Sequence, residues 1–212
     1  MRIYKETLMK FSLGCEVPFP EKVVESYELG ENYIRANVSL DVAPKLLSHF
    51  ISFPKYLNQE EPPLFFFLEL PVEESREGSL NGGADIKTLH KDVYYLDGIQ
   101  PDEALVILER SGRLLFNDGV SSFGFGRQGS NDEIIWEKYN VASIWSMNPA
   151  PYEAIFDRLG VPRVKKLVTA WDTFDQDHPG LSRRVEIDGK DIYSLVEEYR
   201  PYGLYLAETR EA

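Results

Sequence analysis

Residues 63–70 read PLFFFLEL, and the stretch from Leu64 to Leu68 has no polar break before Glu69. It is far shorter than the roughly 20 apolar residues of a membrane span. A strand without polar alternation belongs near the middle of a sheet, with both of its faces covered. The rest of the chain must then supply flanking strands and covering layers. With 43% hydrophobic and 13% aromatic residues over 212 positions, it has the apolar content to do so without disulfide staples. Its core is expected to be rich in Phe and Tyr.

Upstream of that run, PEKVVESYELG predicts a short amphipathic helix. Pro20 stands near its start, Val23, Val24 and Tyr27 share one face, and Gly30 is its stop. NYIRANVSL alternates cleanly and predicts a half-buried strand, followed by a helix from Asp41 to Ile51 with Asp41 as its cap. Residues 73–91 carry three glycines and mixed charges with little periodicity, the composition of a flexible connection. The chain therefore reads as a single α+β domain over 1–212, or as two lobes over 1–72 and 92–212 joined by 73–91.

Downstream, DVYYLDG predicts a strand and QPDEALVILERSG a helix from Pro101 to a stop at Gly112. Two strand-like runs around Asn117-Asp118-Gly119 predict a hairpin. Ser130 and Glu133 have capping-box spacing and predict a helix that ends at Asn140. VASIWSM is a strand, Pro151 to Leu159 a helix stopped by Gly160, and RVKKLVTAWDTF another strand. The last elements are a strand, a turn at Asp188-Gly189 and a short helix. Helices interspersed with hairpin signals give an α+β class: a mixed, largely antiparallel sheet with several short helices packed on it.

Gly124-Phe125-Gly126-Arg127-Gln128-Gly129 has the G-x-G-x-x-G spacing of a dinucleotide fingerprint. That motif needs a long helix after its last glycine and a carboxylate about 20 residues further on. Here the predicted helix is short, and Met147 to Ala150 hold no acid. The stretch reads instead as a strand with Phe123 and Phe125 on one face and bare glycines on the other, open to close approach. If it is functional, Phe123, Phe125 and Arg127 are the candidates for touching a protein partner. GVSSFG lacks the G-x-S-x-G order of a nucleophile elbow.

His49, His90 and His178 stand far apart in sequence, and the densest set of oxygen ligands is Asp172, Asp175, Asp177 and His178. These four are candidate ligands for a divalent metal, although the glycine and terminal Glu of an EF-hand loop are missing. The competing reading is a solvated, Asp-capped turn. No cofactor is expected.

The formal charge of −12, from 23 basic and 35 acidic residues, repels nucleic acid and anionic membranes and favours a basic protein partner. One cysteine, Cys15, excludes an intramolecular disulfide and fits a reducing compartment. The opening residues are broken by charge and lack the apolar core of an export signal, so a cytoplasmic location is expected.

VEIDGKDIYSLVEEY, from Val185 to Tyr199, resembles a segment of small bacterial immunity-type proteins of toxin systems: a strand, a tight Asp-Gly turn and a short helix. The resemblance covers these residues alone. It implies a single-domain α+β protein whose task is to bind. Together with the acidic charge and the aromatic content it gives the leading expectation, a non-enzymatic inhibitor of a basic protein toxin. Two alternatives stand beside it. One is an enzyme using Asp172, Asp175, Asp177 and His178 with a metal, the other a structural or phage-derived assembly protein.

Overall fold

The computed structural model describes residues 8–54, 62–74 and 87–211. Its centre is an antiparallel sheet of eight strands, here named in chain order around a small outlying pair. That pair joins β1 (Cys15–Glu16) to β9 (Leu181–Ser182). The large sheet contains β2 (Ser26–Leu29), β3 (Tyr33–Asn37), β4 (Leu64–Glu74), β5 (Lys87–Ile99), β6 (Ser122–Arg127), β7 (Glu133–Glu137), β8 (Val141–Trp145) and β10 (Tyr205–Glu211). Across the sheet the order is β10, β5, β4, β6, β7, β8, β3, β2. The helices are α1 (Ala43–Ile51), α2 (Pro101–Asn117), α3 (Glu153–Leu159) and α4 (Ser194–Tyr199). The α+β class with a largely antiparallel sheet is thus observed.

The apolar run is β4, and it lies inside the sheet between β5 and β6. Its alternate residues Leu64, Phe66, Leu68 and Leu70 are buried under the helices in one core with Phe123, Phe125, Ile134, Trp136 and Ile144. Phe116 of α2 meets Phe123 and Trp136 edge to face, and Phe66 reaches Phe125 and Tyr199. Only this face has a helical cover. Phe65 and Phe67 point the other way, over the backbone of β6, so the expectation of cover on both faces holds for one face alone.

Several expected elements come out differently. Val23 to Leu29 is not a helix: a 3-10 turn at Pro20–Lys22 leads into strand β2, which pairs with β3. α1 begins after Val42 with no side-chain cap, and Asp41 instead pairs with Lys10 at 2.6 Å. Residues 73–74 and 87–91 belong to β4 and β5, which pair directly, and strands from both sides of that segment share one sheet. Residues 75–86 lie outside the described residues.

α2 runs through Gly112 to Asn117, so the first expected hairpin strand is helix. Nothing at Gly112 requires glycine, since a Cβ there would only touch the ring of Phe116 at 3.5 Å. Asp118 ends the helix, and its carboxylate accepts the N–H groups of Val120, Ser121 and Val185. The Asn-Asp-Gly sequence is thus a helix exit, not a hairpin. Residues 133–137, expected as a helix, form β7; Ile134 and Trp136 are buried and their neighbours half-exposed. Ser130 serves a turn, accepting the N–H of Asp132 and donating to Arg127 O. RVKKLVTAWDTF is irregular, with a 3-10 turn at Ala170–Thr173. The strand expected at 183–187 is reduced to an isolated bridge between Ile187 and Lys190, the short β9 lies just before it at Leu181–Ser182, and β10 has no counterpart in the sequence reading.

Candidate functional site

The three aromatic and basic candidates of β6 are interior. Phe123 and Phe125 are fully buried, and Arg127 is 1% exposed. The Arg127 guanidinium donates from Nη2 to the carbonyls of Phe50, at 2.9 Å, and Phe53, at 2.7 Å. A cation at that position satisfies carbonyls at the C-terminal end of α1 and complements its dipole. Its role is to cap a helix; none of the three side chains can meet a partner. The glycine spacing forms no phosphate cradle either, since β6 turns through Gly129 into β7, where the fingerprint requires a helix.

The acidic segment is a capped turn. Asp172 accepts the backbone N–H and the hydroxyl of Thr169, both at 2.8 Å, and these bonds hold its carboxyl below the usual range. Asp175 accepts the N–H groups of Asp177 and His178 and lies 3.0 Å from His178 Nδ1; the His178 side chain, then its backbone, lowers its pKa. Among the described residues, no three His, Cys, Asp or Glu side chains are placed to share a metal ion. In this structure Asp172, Asp175 and His178 engage in local turn bonds, as in the competing reading of a capped turn. Nearby Tyr139, Trp171 and Phe174 meet edge to face with centroids 4.6, 5.0 and 5.7 Å apart, which is ring-to-ring contact with no space for a ligand.

The sheet face opposite the helices is different. Strand pairing places Phe65 beside Asp97 and Gly126, and Phe67 beside Tyr95 and Gly124. The rings fill the space left by the missing side chains: a Cβ on Gly126 would stand 2.1 Å from the Phe65 ring, and one on Gly124 2.6 Å from Phe67. Tyr95 completes the cluster, 5.5 Å from Phe65 and 6.1 Å from Phe67. Phe65 and Tyr95 remain half-exposed. Further along the same face, Ile135 is half-buried and Tyr33 pairs with Trp145 at 5.6 Å.

Charged groups frame these rings. Glu69 bonds Lys91 at 2.8 Å and Arg210 at 3.1 Å, joining β4 to β5 and β10. Partial burial raises the Glu133 carboxyl above its ordinary value, with Arg210 acting against the shift. The Tyr95 hydroxyl is raised first by burial, the nearby Arg210 again opposing. Burial, then the neighbouring charge of Lys91, lowers Lys138. No family model matches the chain, and no curated protein or solved structure matches it. The face carries aromatic area in the middle and ionic groups around it, and Ser143 on β8 donates its hydroxyl to Glu137 at 3.0 Å.

One other concavity is a groove of about 310 Å³ on the helical side, lined by Leu96, Ile99 and Ile107 with Tyr199 and Tyr202. Glu103 and Arg110 stand at its rim, and no polar constellation converges inside it. The sequence marks the glycine face of β6 as open to close approach, but not Phe65, Phe67 or Tyr95 as the rings that meet it. The signal existed in adjacent aromatic residues of PLFFFLEL set against the alternate glycines of SFGFG, but the pairing that unites them is tertiary.

Proposed function

We propose that the chain works by binding, as an immunity-type inhibitor of a basic protein toxin in the cytoplasm, and that the open sheet face is the surface it uses. The observation that carries this reading is the pair of half-exposed rings Phe65 and Tyr95, packed on the buried Phe67, inside an acid-rich surround. Asp97, Glu133, Glu137 and Glu208 lie on that side of the sheet, against Arg35, Lys91 and Arg210. Aromatic side chains give much contact area for little lost freedom and dominate binding energetics. Acidic groups around them steer a cationic partner and speed encounter, an effect that salt weakens. The overall charge of −12 acts in the same direction. No helix among the described residues is long and apolar enough to cross a membrane.

The test is to immobilise the purified chain and offer it, one at a time, the products of neighbouring genes in its own genome. A basic protein is expected to be retained and its toxic activity blocked. Phe65→Ala and Tyr95→Ser should each weaken retention by about tenfold or more, as anchor residues do. Retention that ignores both substitutions moves the site elsewhere, and failure to retain any basic protein overturns the reading.

A further inference from the structure

The eight-stranded sheet has two outer strands, and they differ. The outer edge of β2 is occupied: Tyr27 donates its N–H to Pro162 O at 2.9 Å and accepts from Val164 N–H at 2.7 Å. β10 has no such neighbour among the described residues, and all seven of its residues are exposed. It is nonetheless firmly held on its inner side. Tyr205 Oη donates to Asp97, Thr209 Oγ1 to Asp92, and Arg210 pairs with Glu69. A bulge lies between Leu206 and Glu208, after which pairing with β5 runs regularly through Glu211. An ordered strand with an open edge and no proline is a template for another strand.

We propose that β10 pairs antiparallel with β10 of a second copy, about a two-fold axis through Thr209. In such a pairing the residue on the axis faces itself, and its neighbours face each other reciprocally. An axis at Glu208, Arg210 or Glu211 sets like charges directly opposite, which is destabilising. An axis at Thr209 sets Glu208 against Arg210 of the second copy, twice, on one side of the joined sheet, in exchange for the Glu208–Arg210 pair that each strand makes within itself. The partner is a second copy because the complement to the strand's E-T-R sequence is that sequence itself, read in reverse. The dimer joins two eight-stranded sheets into one and leaves each aromatic face open. It does not rest on the binding reading above.

Light scattering and native mass spectrometry over micromolar to millimolar concentrations test this. The chain should pass from monomer to dimer. Glu208→Arg and Arg210→Glu should each weaken association by about tenfold, since each sets two like-charge pairs in place of two opposite ones. An equimolar mixture of the two variants should recover it as a heterodimer, because each then meets the opposite charge on the other. Independently, Thr209→Cys should form a disulfide-linked dimer under mild oxidation, whereas the buried native Cys15 should not. A chain that stays monomeric, a dimer that neither variant weakens, or a mixture that recovers nothing overturns the proposal.

Discussion

Phe65 and Phe66 are neighbours in β4 and opposites in environment. Phe66 is completely buried under α2 and α4, while Phe65 lies across a glycine on the side without helices and remains half-exposed. The same strand thus supplies one side chain to cohesion and the next to a surface. Apolar character in sequence marks both equally; what separates them is which side of the sheet receives α1 to α4. A sheet covered once must make its second face out of residues that tolerate water, and here aromatic rings lying on glycines do so together with long charged side chains.

The sharpest way to break this contrast is to truncate each ring. Phe66→Ala should cost about 4 kcal/mol of stability, the range for a buried Phe that leaves a cavity. Phe65→Ala should cost about 1 kcal/mol, because water already reaches that ring and the loss of burial is partial. Paired urea titrations read both, and equal costs would mean that the open face is covered. Next in size is Gly124→Val. Its Cβ would stand 2.0 Å from Ile134 O as well as against the Phe67 ring, so the backbone of β7 has to move. A loss of about 3 kcal/mol is expected.

Arg127→Met tests whether that residue belongs to cohesion. Leaving the Phe50 and Phe53 carbonyls without their donor should cost about 2 kcal/mol and should leave partner binding unchanged; lost binding at full stability would return Arg127 to the surface. The smallest effect concerns Asp172, whose pKa is lowered by its bonds to Thr169. A carboxyl with a depressed folded-state pKa contributes stability above its unfolded value of about 3.9 and loses it as pH falls through the folded one. Asp172→Asn should therefore cost about 0.5 to 1 kcal/mol at neutral pH, as a lost cap does, and nothing in strong acid. Thermal unfolding at pH 7 and pH 2.5 measures the difference, and an equal cost at both would remove the carboxylate from the cap.

The sequence made some of this legible and hid the rest for definable reasons. The alternation of Tyr33 to Asn37 and the Pro and Gly punctuation of α3 are local signals, and the structure follows them. β7 was obscured because Ile134, Ile135 and Trp136 are all apolar, which blurs a period of two, while Ser130 imitates a helix cap and in fact closes a turn. Gly112 looked like a stop, yet helix contacts around it outweigh the cost of glycine in a helix interior, about 1 kcal/mol. β10, exposed along its whole length, carries no hydrophobic pattern at all. The open face fared worst. Its residues come from strands far apart in the chain, and no local window contains both Phe67 and the glycine beneath it.

The central strands also set a timetable. β3 cannot join the sheet until β8 exists, and β5 gains its outer neighbour only when β10 has been made. Pairings this remote in sequence require large loops to close before any of the reward is collected, which places folding in the slow, millisecond-to-second regime of non-local β topologies. On the ribosome the β2–β3 hairpin must therefore wait for more than half the chain, with Ile34 and Ala36 still uncovered. The order of synthesis makes the N-terminal hairpin the segment most in need of protection by a chaperone, and it is the C-terminal strand that completes the sheet.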